Sequence, residues 1–299
     1  MSRHPLVLFL REVLAEWQRD RALVLGAALA YYTLFALAPL LVLVIAIAGL
    51  ALGRAAAQGE IVAQIAGLMG ADGAKMIEGM IVQASRPASG VVATLVSLGT
   101  MLLGASGVFS QLQAALDQIF GTEARTRRGS GVRGAVRQRL AYVGMILGIG
   151  FLLLVSLVLS AALAAVHDLL AAHLPLAARV LPPLNFALSL VVVSGLFALI
   201  YKVLPDAKLA WRDVWLGATC TAILFTVGKS LIGIYLGRAG ATSVYGAAGS
   251  LVLVLLWIYY SAQILLLGAE FTHAYATTRG SRKNRGPEGS APHKADLPA

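Results

Sequence analysis

The sequence predicts an all-α fold, a polytopic bundle of six transmembrane helices with short amphipathic helices at the membrane surface. Three observations carry that prediction. The chain is 59% hydrophobic and 13% charged, with a mean hydropathy of +0.80, whereas soluble domains carry about 25% charged residues. Six apolar stretches, at about 25–50, 92–116, 140–166, 184–204, 213–237 and 246–270, each exceed the roughly 18 residues that cross a bilayer. The lysines and arginines also fall unevenly on alternate loops. With both termini cytoplasmic, eighteen lie inside, five lie outside and Lys229 is within a span. That asymmetry is the positive-inside pattern. It directs the net charge of +10 to a leaflet rich in anionic lipid rather than to nucleic acid.

Taken in order, residues 1–278 read as a single integral membrane domain. In 5–20, Leu6, Phe9, Leu10, Val13, Leu14 and Trp17 recur at helical spacing, with Arg11, Glu12, Glu16 and Arg19 opposite. This predicts an amphipathic helix on the inner membrane face. The first span is too long for a secretory signal and ends without a small-residue cleavage site, so it is expected to remain as an anchor. It contains LAYYTLFALAPLL, Leu29 to Leu41. Pro39 cannot donate to the carbonyl of Phe35, which predicts a bend near mid-membrane. Tyr32 shares a face with Pro39 and is expected to turn toward the bundle. The other reading of Tyr31 and Tyr32 is an aromatic belt at the inner membrane edge.

The outer loop, 51–91, carries two short apolar stripes: Ile61, Ile65, Leu68, then Ile77, Met80, Ile81, Ala84. The GADG run, Gly70 to Gly73, separates them. A periplasmic helical hairpin is expected, resting on the bilayer or capping the bundle. The inner loop 120–139 sets Arg125, Arg127, Arg128, Arg133, Arg137 and Arg139 against Glu123. These arginines are candidate contacts for anionic lipid headgroups. They lack the interleaved aromatics of an RNA platform. Residues 279–299 are rich in Gly, Pro, Ser and charge, the composition of a disordered cytoplasmic tail.

Polar residues inside spans are costly and so mark candidate sites. In the sixth span Gly246, Ser250, Leu253, Trp257, Tyr260, Gln263, Leu267 and Glu270 recur at spacings of three and four. The second span has Gly99, Ser106, Ser110, Gln113 and Asp117; the fifth has Trp215, Thr219, Thr226, Lys229 and Gly233. Lys229, Glu270, Gln263, Tyr260, Tyr32 and Gln113 are therefore the candidate intramembrane polar site. The stripes fit two readings, a path for a substrate or water and ordinary small-residue helix packing. Lys229 lies roughly 20 Å in depth from Glu270 at 1.5 Å per residue, too far to pair. Asp117 and Glu270 fall at similar depth near the cytoplasmic face, Asp117 reading as a solvated helix end.

Several functions are excluded. Cys220 is the single cysteine, so no intrachain disulfide or cysteine metal site forms. His167 and His173 match no ligand spacing, and no catalytic triad, phosphate loop or HExxH motif is present. No enzyme activity, cofactor or metal is expected. The expected partners are membrane lipids, with a homo-oligomer left open; the glycine pairs Gly144/Gly148 and Gly233/Gly237 belong to ordinary helix packing in lipid.

Three stretches carry a resemblance. ALAYYTLFALAPLLVLVIAIAGL (Ala28–Leu50), GASGVFSQLQAALDQIF (Gly104–Phe120) and the long segment Tyr201–Thr272, which includes GATCTAILFTVGKS and LLWIYYSAQILLLGAEFT, resemble the YihY/BrkB family of bacterial inner-membrane proteins. Order and spacing agree along about residues 10–275. The resemblance implies a multi-pass protein of the bacterial inner (plasma) membrane, with relatives linked to serum resistance, and no settled activity. It also brings an old label, a tRNA-processing ribonuclease BN. The residues oppose that label, since a metal phosphodiesterase needs clustered His and Asp ligands on a soluble scaffold. The expected activity is transport-related handling of a lipid or other amphiphile at the envelope. The alternative is a non-transporting scaffold for envelope integrity.

Overall fold

The computed structural model describes residues 5–85, 107–122, 175–207, 209–238 and 248–281. Among them the regular structure is helical: α1 (Pro5–Arg19), α2 (Ala22–Leu52), α3 (Arg54–Ala84), α4 (residues 107–119), α5 (Pro175–Val203), α6 (Trp211–Arg238) and α7 (Gly249–Thr278). The predicted span at 140–166, most of the one at 92–116, and the six inner-loop arginines from Arg125 to Arg139 lie outside the described residues.

Phe186–Val203, Trp211–Ile232 and Gly249–Thr278 are long and apolar enough to cross a membrane. A fourth span results if α1 and the first half of α2, bent by 60° at their junction, are taken as one. Only 22%, 28% and 33% of the residues in those three windows are buried, so each helix also presents residues outward. Phe186 and Val191 on α5, and Ile223, Val227 and Leu231 on α6, face outward in this way.

The turns between helices are set by backbone chemistry. Arg21, between α1 and α2, has φ 52 and ψ 42, a left-handed conformation uncommon outside glycine. α2 then continues through Pro39 to Leu52. Gly70 interrupts α3 with φ 83 and ψ 174, a region that essentially glycine alone occupies. The GADG break thus falls on its first glycine. Both halves of α3 join one apolar cluster: Ile77 and Ile81 are buried with Ile45 of α2 and Leu253, Val254 and Trp257 of α7, and Ile61, Val62 and Ile65 pack against them. The predicted outer loop is therefore packed on α2 and α7. The larger cluster joins Leu29 of α2, Phe109 and Leu116 of α4, Tyr201 of α5, Val214 of α6 and Leu266 of α7.

α6 and α7 are interlocked by glycines. A β-carbon on Gly217 would overlap the hydroxyl of Thr272, and one on Gly268 would overlap that of Thr221. A third close approach sets the Tyr260 hydroxyl on Gly228. The pairing 217 with 272, 221 with 268 and 228 with 260 makes the two helices antiparallel. Each threonine hydroxyl donates to the glycine carbonyl four residues back, Thr221 to Gly217 and Thr272 to Gly268, both at 2.7 Å. Polar atoms in the seam are thus satisfied within their own helix. α5 joins through fully buried Tyr201, whose hydroxyl donates to the Leu265 carbonyl at 2.7 Å and lies 3.2 Å from Thr221 Oγ1. Tyr201→Phe is expected to lower the unfolding free energy by about 1 kcal/mol, the net worth of one such bond, as read by denaturant titration of the purified protein in detergent.

Candidate functional site

At one end of the bundle α1 lies across α7. Phe9 and Val13 are buried with Ala274, against Leu267, Phe271 and Tyr275. The Phe9 and Phe271 rings meet edge-on at 5.3 Å, and the Arg279 guanidinium stands 5.7 Å from the Phe9 ring. Leu10 and Leu14, expected on the same apolar face, instead remain exposed. The apolar side of α1 is therefore shared between α7 and the surroundings.

This docking sets the end of α1 over Glu270. Glu270 is 0% exposed, and neither carboxylate oxygen accepts a hydrogen bond. Among the described residues, the charged groups acting on it are Asp20 and Glu16, of like sign, and Arg19, of opposite sign. Arg19 lies 3.9 Å from Glu16 with a side chain 72% exposed, an arrangement that neutralises little. Burial pushes the Glu16 carboxyl above its ordinary value, Glu12 and Asp20 push the same way, and Arg19 opposes them.

The α1–α2 corner is held from two sides. The Gln118 amide donates to the Asp20 carbonyl at 2.9 Å, and the Gln263 amide donates to the Ala22 carbonyl at 3.3 Å. Gly26 makes room for that second contact, since a β-carbon there would overlap the Gln263 amide nitrogen. Trp17 Nε1 and Gln263 Oε1 are buried without a hydrogen bond.

The six candidate residues do not share one site. Gln263 and Glu270 turn to the α1–α2 corner. Tyr260 turns to α6 and sits on Gly228. Lys229, the next residue of α6, is half-buried. The α6–α7 register sets Lys229 opposite Tyr260, ten residues and roughly 15 Å from Glu270. Tyr32 packs on Gly107 of α4 and forms an exposed aromatic group with Tyr31 and Phe35; the Tyr31 ring lies 5.8 Å from Tyr32 and 4.9 Å from Phe35. Gln113 is buried in α4.

Three carboxylates stand where the sequence alone does not place them. Asp117, expected to be solvated, is 2% exposed. Its Oδ1 accepts from the Thr122 hydroxyl at 2.7 Å and from the Asp206 N–H at 2.9 Å, because the chain after α4 and the α5–α6 turn both fold over it. Asp213, in the first turn of α6, is equally buried and accepts from the Ser281 N–H at 2.9 Å and hydroxyl at 2.6 Å. Asp20 was also missed. Its signal was a lone acid in the QRDRA run, where it reads as one surface charge among others. Among the described residues, no three His, Cys, Asp or Glu side chains are disposed to hold a metal.

No solved structure matches the chain. Three of its relatives among known proteins are described as UPF0761 membrane proteins. One from Tolumonas auensis is 39% identical over 93 residues, 31% of this chain and 31% of the relative. One from Chromobacterium violaceum is 29% identical over 201 residues, 67% of this chain and 45% of the relative. One from Pseudomonas aeruginosa is 34% identical over 93 residues, 31% of this chain and 23% of the relative. The chain thus spans less than half the length of each of these three relatives. The profile of the family described as Virulence factor BrkB runs through residues 13–293, from within α1 to beyond the end of α7, and the chain belongs to that membrane-protein family.

Proposed function

We propose that this protein handles a lipid or other amphiphile in the bacterial inner membrane, without catalysing a covalent reaction and without a cofactor. In this reading six helices span the bilayer, both termini are cytoplasmic, and Arg125, Arg127, Arg128, Arg133, Arg137 and Arg139 contact anionic headgroups. The supporting observation is the aromatic group on α2. Tyr31, Tyr32 and Phe35 are 60%, 43% and 65% exposed at a depth where the positive-inside reading places the inner edge of the hydrocarbon. Rings there offer an apolar body to acyl chains and hydroxyls to headgroups.

The test is reconstitution. Purified protein in vesicles is expected to accelerate movement of a labelled lipid between leaflets, and Tyr31→Ala with Phe35→Ala to reduce that acceleration severalfold. No acceleration over protein-free vesicles, across several lipid classes, sinks this reading. A scaffold is the second reading, favoured by the glycine–threonine interlock of α6 and α7. It predicts vesicles no different from empty ones together with an envelope defect when the interlock is broken.

A further inference from the structure

We propose that Lys202, Trp211, Arg212 and Trp215 hold one anionic phospholipid at the α5–α6 turn, its phosphate at the Lys202 ammonium and its acyl chains along α6. The inference starts from two tryptophans. Trp211 and Trp215 lie four residues apart in the first turns of α6, so they are neighbours on the helix surface. The two are 54% and 44% exposed. Trp211 also opens the apolar span Trp211–Ile232, so both rings fall at the level where hydrocarbon gives way to headgroups. Indole suits that level, with an apolar body and one N–H donor. Leu216, Ile223 and Val227 continue the exposed side of α6 with aliphatic carbon. From Trp211 to Val227 the helix rises about 24 Å, enough to carry an acyl chain toward mid-membrane.

Two cations meet those rings. Lys202, in the last turn of α5, donates to the Leu209 carbonyl and stands 5.6 Å from the Trp211 ring. These two contacts fix the ammonium, and it has two further donors to give. Arg212 is exposed; at about 100° per residue it falls between Trp215 and Leu216 around the helix. Asp213, the acid of the same turn, is buried and accepts from Ser281. Asp206, exposed, gives its N–H to Asp117, on the α4 side of the turn. Cations and indoles come first along α6 and aliphatic carbon follows. A phospholipid has the same order: phosphate, glycerol, acyl chain. Two cations favour a lipid of net negative charge over a zwitterion. A water-soluble anion would lack the apolar half of the contact. The site stands apart from the transport reading, since a scaffold holds such a lipid equally well and its occupancy is measured without movement between leaflets.

The experiment is fluorescence quenching of the full chain in phosphatidylcholine vesicles. These are doped, at one low fraction, with phosphatidylglycerol or phosphatidylcholine carrying brominated acyl chains, which quench indole on contact. Trp211 and Trp215 are two of the four tryptophans. The brominated phosphatidylglycerol is expected to quench as if enriched about fivefold over the brominated phosphatidylcholine, the scale of one basic residue at an anionic surface. Trp211→Phe with Trp215→Phe is expected to remove that excess. Lys202→Gln with Arg212→Gln is expected to remove the preference while both lipids still quench. Should the lysine variant fail to fold, Arg212→Gln alone carries the comparison, with a reduced preference. Three results overturn the proposal: equal quenching of the wild type by the two lipids, no quenching of these two tryptophans because protein covers them, or a full preference that survives loss of the cations.

Discussion

Gly268→Leu is expected to prevent α6 and α7 from pairing and to leave no stably folded protein. The β-carbon alone would overlap the Thr221 hydroxyl and stand 2.6 Å from Tyr201 Oη and 2.7 Å from Thr221 Cγ2. None of these can move freely. Thr221 is bonded to its own helix and Tyr201 to the Leu265 carbonyl. Overpacking a tight core costs about 1–3 kcal/mol for a few added methylenes, and leucine adds an entire side chain at a helix crossing. Loss of the monodisperse peak in detergent size-exclusion is the readout; a variant with the wild-type profile and Tm would contradict the interlock. The reciprocal position gives a finer test. Gly217→Ala is expected to cost about 2–3 kcal/mol, because the added carbon meets only the Thr272 side chain. Combining it with Thr272→Gly should recover part of that loss beyond additivity, which a double-mutant cycle reads directly.

Asp117→Ala is expected to cost roughly 3 kcal/mol. Its carboxylate joins Thr122, just past α4, to the backbone of Asp206 in the turn before α6. Truncation strands the Asp206 N–H and loosens two connections at once. Asp117→Asn keeps an acceptor at the same place and should cost about 1 kcal/mol, the difference between a charged and a neutral partner. Equal losses in the two variants, measured by denaturant unfolding, would show that the carboxylate does not hold the turn.

The sequence made legible whatever depends on local pattern. α1, α2 and α6 begin and end within a few residues of the periodicity, and the break in α3 follows from glycine alone. What depends on distant neighbours was not legible. The sixth apolar stretch stops at Glu270, because an acid reads as the end of a span. α7 instead continues to Thr278, since α1, some 250 residues earlier, covers that acid. Tyr260 and Gln263 fall in one stripe by spacing, yet three residues turn a helix by about 300°, enough for one to meet α6 and the other α2. The α6–α7 seam lacks a glycine-pair signature because Gly217 and Gly268 meet threonines, Thr272 and Thr221, and Gly228 meets Tyr260. Asp117 reads as a helix-end charge, and Asp213 gives no signal at all, because nothing local announces the chain that folds over them.

The corner around Arg21 also fixes an order of events during synthesis. Asp20 is held by Gln118, 98 residues later, and Ala22 by Gln263, 241 residues later. Phe9 and Val13 find their cover only in the last turns of α7. A ribosome delivers α1 long before its seat exists, and contacts of such sequence separation form late. In that interval the apolar edge of Leu10 and Leu14 gives α1 a resting place on the bilayer surface. Of the described helices, the first in the sequence is thus among the last to be packed.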